Sequence, residues 1–464
     1  MSRQRLSSLH PVLKRTGLLI FLAIWLAYGA AINSNNLTAF DLQQIGVEAL
    51  AARHHFYLEG SPDPQMQTKG DVFEYNGHLY AAKQPGQFMS GAIVYSALRV
   101  AGLSYASNYL LTSALVTFFT TSLVLALSVV AFFRLAQLIG RGSREPFWTV
   151  LATFAYAFGT TMFAYSGIPH HDALASGYLV IAFYLTRKIS SVTASERNKK
   201  VMATVAGLLL GLTITTSMLP FFMSVVCAIY FFTLRRWRLM PLFVVGLVAG
   251  LVPLFIYDAA SFGSPFRLAN VAGAGMFADT FWHFDPRNFG NKVAGYSKAV
   301  VFYAPVVAAG LFGWSYYPLE RKRRPEFRTI ALMTIVLVIY VFNISSDGDC
   351  QFGPRYLLPL MPFACLGVVG YGYLSAQYER GFAAVVLVTI VLTSCFINLV
   401  GALGGAMNCL HGSGAFTNRI RQLAGGEFPG YPLAKWLLLP LIVCVALLIL
   451  GWADQRRNSG LTAT

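Results

Sequence analysis

Residues 17–33 read GLLIFLAIWLAYGAAIN, and from Ser34 to Gly86 the composition reverses. The first stretch approaches the about 20 apolar residues that span a bilayer core. It runs into bulky residues without a small-x-small cleavage site, so it reads as an anchored helix and not as a removable leader. The second stretch carries six carboxylates, Asp41, Glu48, Glu59, Asp63, Asp71 and Glu74, and three histidines, His54, His55 and His78. An apolar helix thus hands a long polar segment to one face of a membrane. The rest of the chain repeats that theme with shorter polar turns.

The 464 residues are 56% hydrophobic and only 12% charged, with a mean hydropathy of +0.57, whereas soluble domains carry about a quarter charged residues. Apolar runs recur with no gap wide enough for an ordinary soluble domain, which predicts an all-α polytopic membrane protein. Arg3, Arg5, Lys14 and Arg15 put the N-terminus in the cytoplasm and the 34–86 loop outside. Residues 87–103, short and interrupted by Arg99, read as an interfacial helix within an enlarged outer loop, 34–103. Further spans at 108–133, 147–166, 173–186, 201–217, 221–234, 239–257, 299–317, 329–343, 357–375, 382–403 and 437–452 bring the total to about 12 crossings, both termini inside. Other long outer loops fall at 258–296 and 404–436. Residues 1–375 then form the main region, and 376–464 add the last spans.

In a soluble protein a net charge of +16 would point to nucleic acid. Here the inner face takes 23 of the 35 basic residues against 6 acids, and the outer face 12 against 13. The whole excess is therefore an orientation signal, and no nucleic-acid partner is implied. No internal repeat appears, which argues against an inverted-repeat transporter. Cys227, Cys365, Cys395 and Cys444 fall within spans as small packing residues. Cys350 and Cys409 both fall in outer loops, where an oxidising compartment allows a disulfide between them.

Under this topology the outer face gathers Asp41, Lys83, His170, His171, Asp172, Asp258, Asp285, Asp347, Asp349 and Arg355. No GxxxxGK[ST] phosphate loop is present. A chemical step on that face needs a substrate that arrives already activated, and a lipid-linked phosphate ester meets the requirement.

An Asp shortly after the first span, followed by Asn76-Gly77-His78-Leu79-Tyr80-Ala81-Ala82-Lys83-Gln84-Pro85-Gly86, resembles the "G-h-y-y-s-x-K-P-P-G" segment of bacterial GT-C glycosyltransferases. These are relatives of the protein mannosyltransferases and the aminoarabinose transferase group. His171 opening a span, Phe262-Gly263-Ser264-Pro265-Phe266 after a span, and Phe352-Gly353-Pro354-Arg355-Tyr356-Leu357-Leu358-Pro359 opening another are similar to the same family. The similarity runs from about residue 17 to 375.

The resemblance implies a GT-C-like helical bundle that moves a sugar from a polyprenyl-phosphate donor to an acceptor hydroxyl on the periplasmic side of the bacterial inner membrane, with inversion. The acceptor would be an envelope glycan, a lipid or a protein. Asp41 matches the family's first-loop acid and would be the general base; its alternative role is to cap the following helix. Many members carry two adjacent acids there, whereas this chain has Phe40-Asp41, and no metal or other cofactor is expected.

Lys83 matches the lysine of the Lys-Pro-Pro segment, departing at Gln84, and would neutralise the leaving phosphate; otherwise it snorkels to lipid headgroups. Arg355 would grip the same phosphate, or pair with Asp347 or Asp349. His170, His171, Tyr80, Asp258 and Asp349 are secondary candidates for substrate contacts, each set against a capping, anchoring or loop-structuring role. Two other classes remain in view. A lipid transporter would need ionisable residues at mid-span, which the spans nearly lack. A non-catalytic lipid-binding partner of an envelope assembly would survive loss of the Asp41 carboxylate.

Overall fold

The structure, a computed structural model, describes residues 3–39, 41–67, 70–140, 146–190, 195–273, 285–322, 324–344, 351–374, 381–407 and 414–460. α1 (Arg3–Ala30) leads into two short helices, α2 (Ser34–Ala39) and α3 (Leu42–Glu48), a π-helical turn (Ala49–Arg53), the hairpin β1 (Val72–Tyr75) and β2 (His78–Ala81), and α4 (Gly86–Val100). α5 (Tyr109–Thr117) continues through a π-helical turn into α6 (Leu123–Ile139). α7 (Pro146–Phe158), α8 (Thr161–Tyr165), α9 (His171–Ile189), α10 (Glu196–Thr216), α11 (Phe221–Thr233) and α12 (Met240–Phe262) follow. Later helices are identified by their ranges.

The chain is a multi-pass membrane protein. Among the described residues, seven helices are long and apolar enough to cross a bilayer, or eight if the pair Pro286–Tyr303 and Pro305–Tyr316 is one span. Gly17–Ala30, α7 and α11 are shorter apolar helices. Helix contact in lipid relies on close packing, which small residues permit. α10 and α12 supply the clearest case: a Cβ on Gly207 would strike the Phe243 carbonyl, and one on Gly250 the Leu208 carbonyl. A second seam joins Gly310 and Gly313 to Gly367 and Gly370, where added Cβ atoms would again meet backbone. Both seams hold helix backbones at distances no larger residue allows.

Within the first outer segment, α3 packs on α4, where a Cβ on Gly46 would press against Phe88, and Arg99 donates to the Ala51 carbonyl over 2.7 Å. Two expectations need correction. The expected 299–317 span is broken, because the helix starting at Pro286 ends at Tyr303 and its successor departs at 103°. Pro305 brings no N–H and its ring crowds the preceding turn. Asp258, expected in an outer loop, lies inside α12, which continues to Phe262 and ends at Gly263 with φ 76°. Gly adopts that left-handed C-cap at no steric cost.

Candidate functional site

One wall of the site is built by the hairpin. Asn76 and Gly77 both have positive φ, 51° and 80°, as a two-residue turn between right-twisted strands requires. Val72 pairs with Ala81 and Tyr75 with His78. Phe73 and Tyr80 lean on Phe262 with ring centroids 5.9 and 5.2 Å away, which seats the hairpin on the end of α12.

The pairing continues beyond the strands, since Ala82 N donates to Asp71 O over 2.7 Å. It brings Asp71 beside Lys83, and their side chains form an ion pair of 3.1 Å. Gln84, where the chain departs from the Lys-Pro-Pro pattern, donates to Asn270 Oδ1 over 3.1 Å and ties this wall to the segment after α12. Gly86 then starts α4 so close to Thr216 that no Cβ would fit.

The facing wall is the start of α9. His170 occupies the N-cap, its Nδ1 accepting from Asp172 N over 3.2 Å, and its ring stacks on His171 at 4.8 Å. Burial, then the adjacent His171, pushes the His170 imidazole well below its ordinary value, so it stays neutral. Asp172 is buried. Its Oδ1 accepts from Ser217 Oγ over 2.6 Å and lies 3.4 Å from His171 Nε2. Its Oδ2 lies 3.8 Å from Arg355 Nε. Arg355 is buried too, donates to Tyr356 Oη over 3.1 Å, and places its guanidinium carbon 4.7 Å from that ring's centroid.

Between the walls lies a cavity of about 100 Å³ lined by Lys83, Gln84, His171, Asp172, Ser217, Asn270, Arg355 and Tyr356, together with Tyr340, Ile344, Met218 and Leu219. Two cations therefore face one space, each with its own carboxylate. Burial would raise the Asp71 carboxyl, but the Lys83 charge and hydrogen bond, with smaller pulls from Arg355 and His171, hold it below the ordinary carboxylate value. Such a space suits an anionic group offering several acceptor oxygens.

Of the sequence-predicted residues, Lys83, His171 and Arg355 line this cavity, and His170 stands directly behind it. Tyr80 belongs to the apolar hairpin seat, and Asp258 is buried in α12 with neither carboxylate oxygen hydrogen-bonded among the described residues. Asp41 is outside the cavity lining; it stands at the N-cap of α3 without a side-chain capping bond and within electrostatic reach of the Tyr109 phenol. Asp349, Cys350 and Cys409 lie outside the described residues. No group of three or more His, Cys, Asp or Glu is arranged to hold a metal among the described residues.

Asp71, Asp172, Ser217 and Asn270 are site residues that the motif reading missed. A signal for Asp71 existed: an Asn-Gly turn at 76–77 fixes a register in which residue 71 comes beside residues 82 and 83.

No protein-family model matches the sequence, and no curated protein matches it. Solved structures do. The crystal structure of ArnT from Cupriavidus metallidurans bound to undecaprenyl phosphate superposes with a TM-score of 0.51 at 14% identity, covering 95% of this chain and 72% of that one. Its apo state gives 0.50 at 15% identity, over 94% and 75%. The Archaeoglobus fulgidus oligosaccharyltransferase in complex with Zn and sulfate gives 0.52 at 14% identity, over 84% of this chain and 54% of that one. The chain thus shares its fold with these membrane proteins.

Proposed function

We propose that this chain transfers a sugar from a polyprenyl-phosphate donor to an acceptor hydroxyl, at the periplasmic face of the inner membrane and with inversion. The observation that carries the reading is the convergence of Lys83 and Arg355 on one cavity from chain positions far apart. The ArnT neighbour's bound undecaprenyl phosphate is an anion of the class this cation pair suits.

In the reaction the acceptor oxygen attacks C1 while the bond from C1 to the phosphate oxygen breaks. The bonding pair leaves with the phosphate, whose growing charge Lys83 and Arg355 stabilise. The acceptor's proton passes to a carboxylate, and the family resemblance assigns that role to Asp41. Asp172 keeps Arg355 oriented, since a buried guanidinium needs a fixed counter-charge.

The test compares the envelope glycans, glycolipids and glycoproteins of a deletion strain carrying wild type, Asp41→Asn or Lys83→Met at matched expression. One sugar is expected to vanish on deletion, return with wild type and stay absent with Lys83→Met. If no glycan changes on deletion, the transferase reading fails. Restoration by Asp41→Asn would remove only the assignment of the base.

A further inference from the structure

The two ion pairs at the cavity are built differently. Asp172 has a side chain only 4% exposed and is anchored by Ser217, so it has no solvent to move into. Asp71 is 54% exposed although its partner Lys83 is only 17% exposed. Its backbone is pinned by the bond from Ala82 N, while its φ of 56° is one that few residues besides Gly, Asn and Asp adopt. The carboxylate is thus held beside Lys83, which lines the cavity, by a fixed main chain and one ion pair.

From this asymmetry we infer that Asp71 is an exchangeable counter-ion: it shields Lys83 in the empty site and swings out to solvent when the donor's phosphate takes its place. A mostly buried ammonium without a partner is costly, so an empty site needs a carboxylate there. The exchange is cheap because the departing group regains water while Lys83 keeps an anionic partner. The same exchange at Asp172 would strand a buried charge. Asp71 therefore acts through Lys83 as a positioning residue, and it makes the site selective for ligands that bring their own negative charge.

This inference rests on the proposed donor class, and its test separates the two. Binding of undecaprenyl phosphate and of uncharged undecaprenol to the purified full chain in detergent is measured for wild type, Asp71→Asn, Lys83→Met and the double variant. Asn suits a left-handed position, so Asp71→Asn leaves the turn intact. Removing the competitor is expected to tighten undecaprenyl phosphate binding about three- to tenfold while leaving undecaprenol unchanged, and this gain is expected to disappear when Lys83 is Met. A purely structural Asp71 predicts weaker or equal binding for Asp71→Asn, and that result overturns the inference alone. Failure of wild type to bind undecaprenyl phosphate better than undecaprenol overturns the proposed function with it.

Discussion

Ser217, the first residue after α10, donates to the Asp172 carboxylate at the start of α9 over 2.6 Å, and Asp172 lies against Arg355 in turn. A hydrogen bond to a buried charged group contributes about 1.5–3 kcal/mol. Ser217→Ala is therefore expected to weaken undecaprenyl phosphate binding by about tenfold, since about 1.4 kcal/mol is a factor of ten. Ser217→Thr, which keeps the hydroxyl, is expected to retain most of the affinity. Equal binding by Ala and Ser variants would show that Asp172 needs no anchor.

Arg355→Lys keeps the charge but loses the planar fork and the stacking on Tyr356. It is expected to fold, with donor binding reduced. Arg355→Ala leaves Asp172 buried beside no cation, a change that costs about 3–5 kcal/mol. Thermal unfolding in detergent should therefore separate the two variants clearly. Indistinguishable melting temperatures would mean that the pair carries no stability.

Gly207→Ala puts a methyl into the Phe243 carbonyl, whereas Gly290, also helical, has nothing within 4 Å of a built Cβ. The first substitution is expected to cost about 1–3 kcal/mol as overpacking, and the second to stabilise by about 0.5–1 kcal/mol through helix propensity. Melting curves of the two variants check the opposite signs.

Acid should loosen the hairpin. Glu59 Oε1 lies 2.5 Å from His78 Nδ1, and Oε2 accepts from Leu79 N over 2.9 Å. Burial would raise its carboxyl, but these partners hold it below the ordinary 4.5. A depressed folded-state value means stability that is fully present above pH 4.5 and fades as pH falls through the folded value. Asp71 adds in the same direction. Urea unfolding of wild type should weaken below pH 4.5, with Glu59→Gln showing a shallower dependence. Identical slopes would rule Glu59 out.

Gln351 and Met407 form an isolated antiparallel bridge, and Phe352 N donates to Ala406 O over 2.9 Å. Cys350 and Cys409 lie in the sequence beyond these two segments, outside the described residues, and both fall in loops read as outer, where an oxidising compartment allows a disulfide between them. Peptide mapping without reductant should recover the linked peptides; alkylation of both thiols in the untreated protein would refute it.

Periodicity and charge were enough to read the helical membrane architecture, because burial in lipid forces long apolar helices whatever they pack against. Motif spacing picked out Lys83 and Arg355, which line one cavity, since Gly86 and the Pro-framed 354–359 segment are required by close backbone geometry that leaves a local mark. The break at Ala304 was missed although Pro305 stood in view, because proline is tolerated in membrane helices when neighbours satisfy the freed groups. Asp172 and Ser217 escaped for a different reason. Their roles come from meeting each other across α9 and α10, a relationship no single stretch contains.

The end of α10 supports both walls at once: Thr216 receives Gly86, three residues after Lys83, and Ser217 holds Asp172, which faces Arg355. A rigid displacement of that helix end carries the two walls in the same direction. The separation of the charges is thereby insulated from the breathing of the bundle, as two marks on one ruler keep their spacing when the ruler moves.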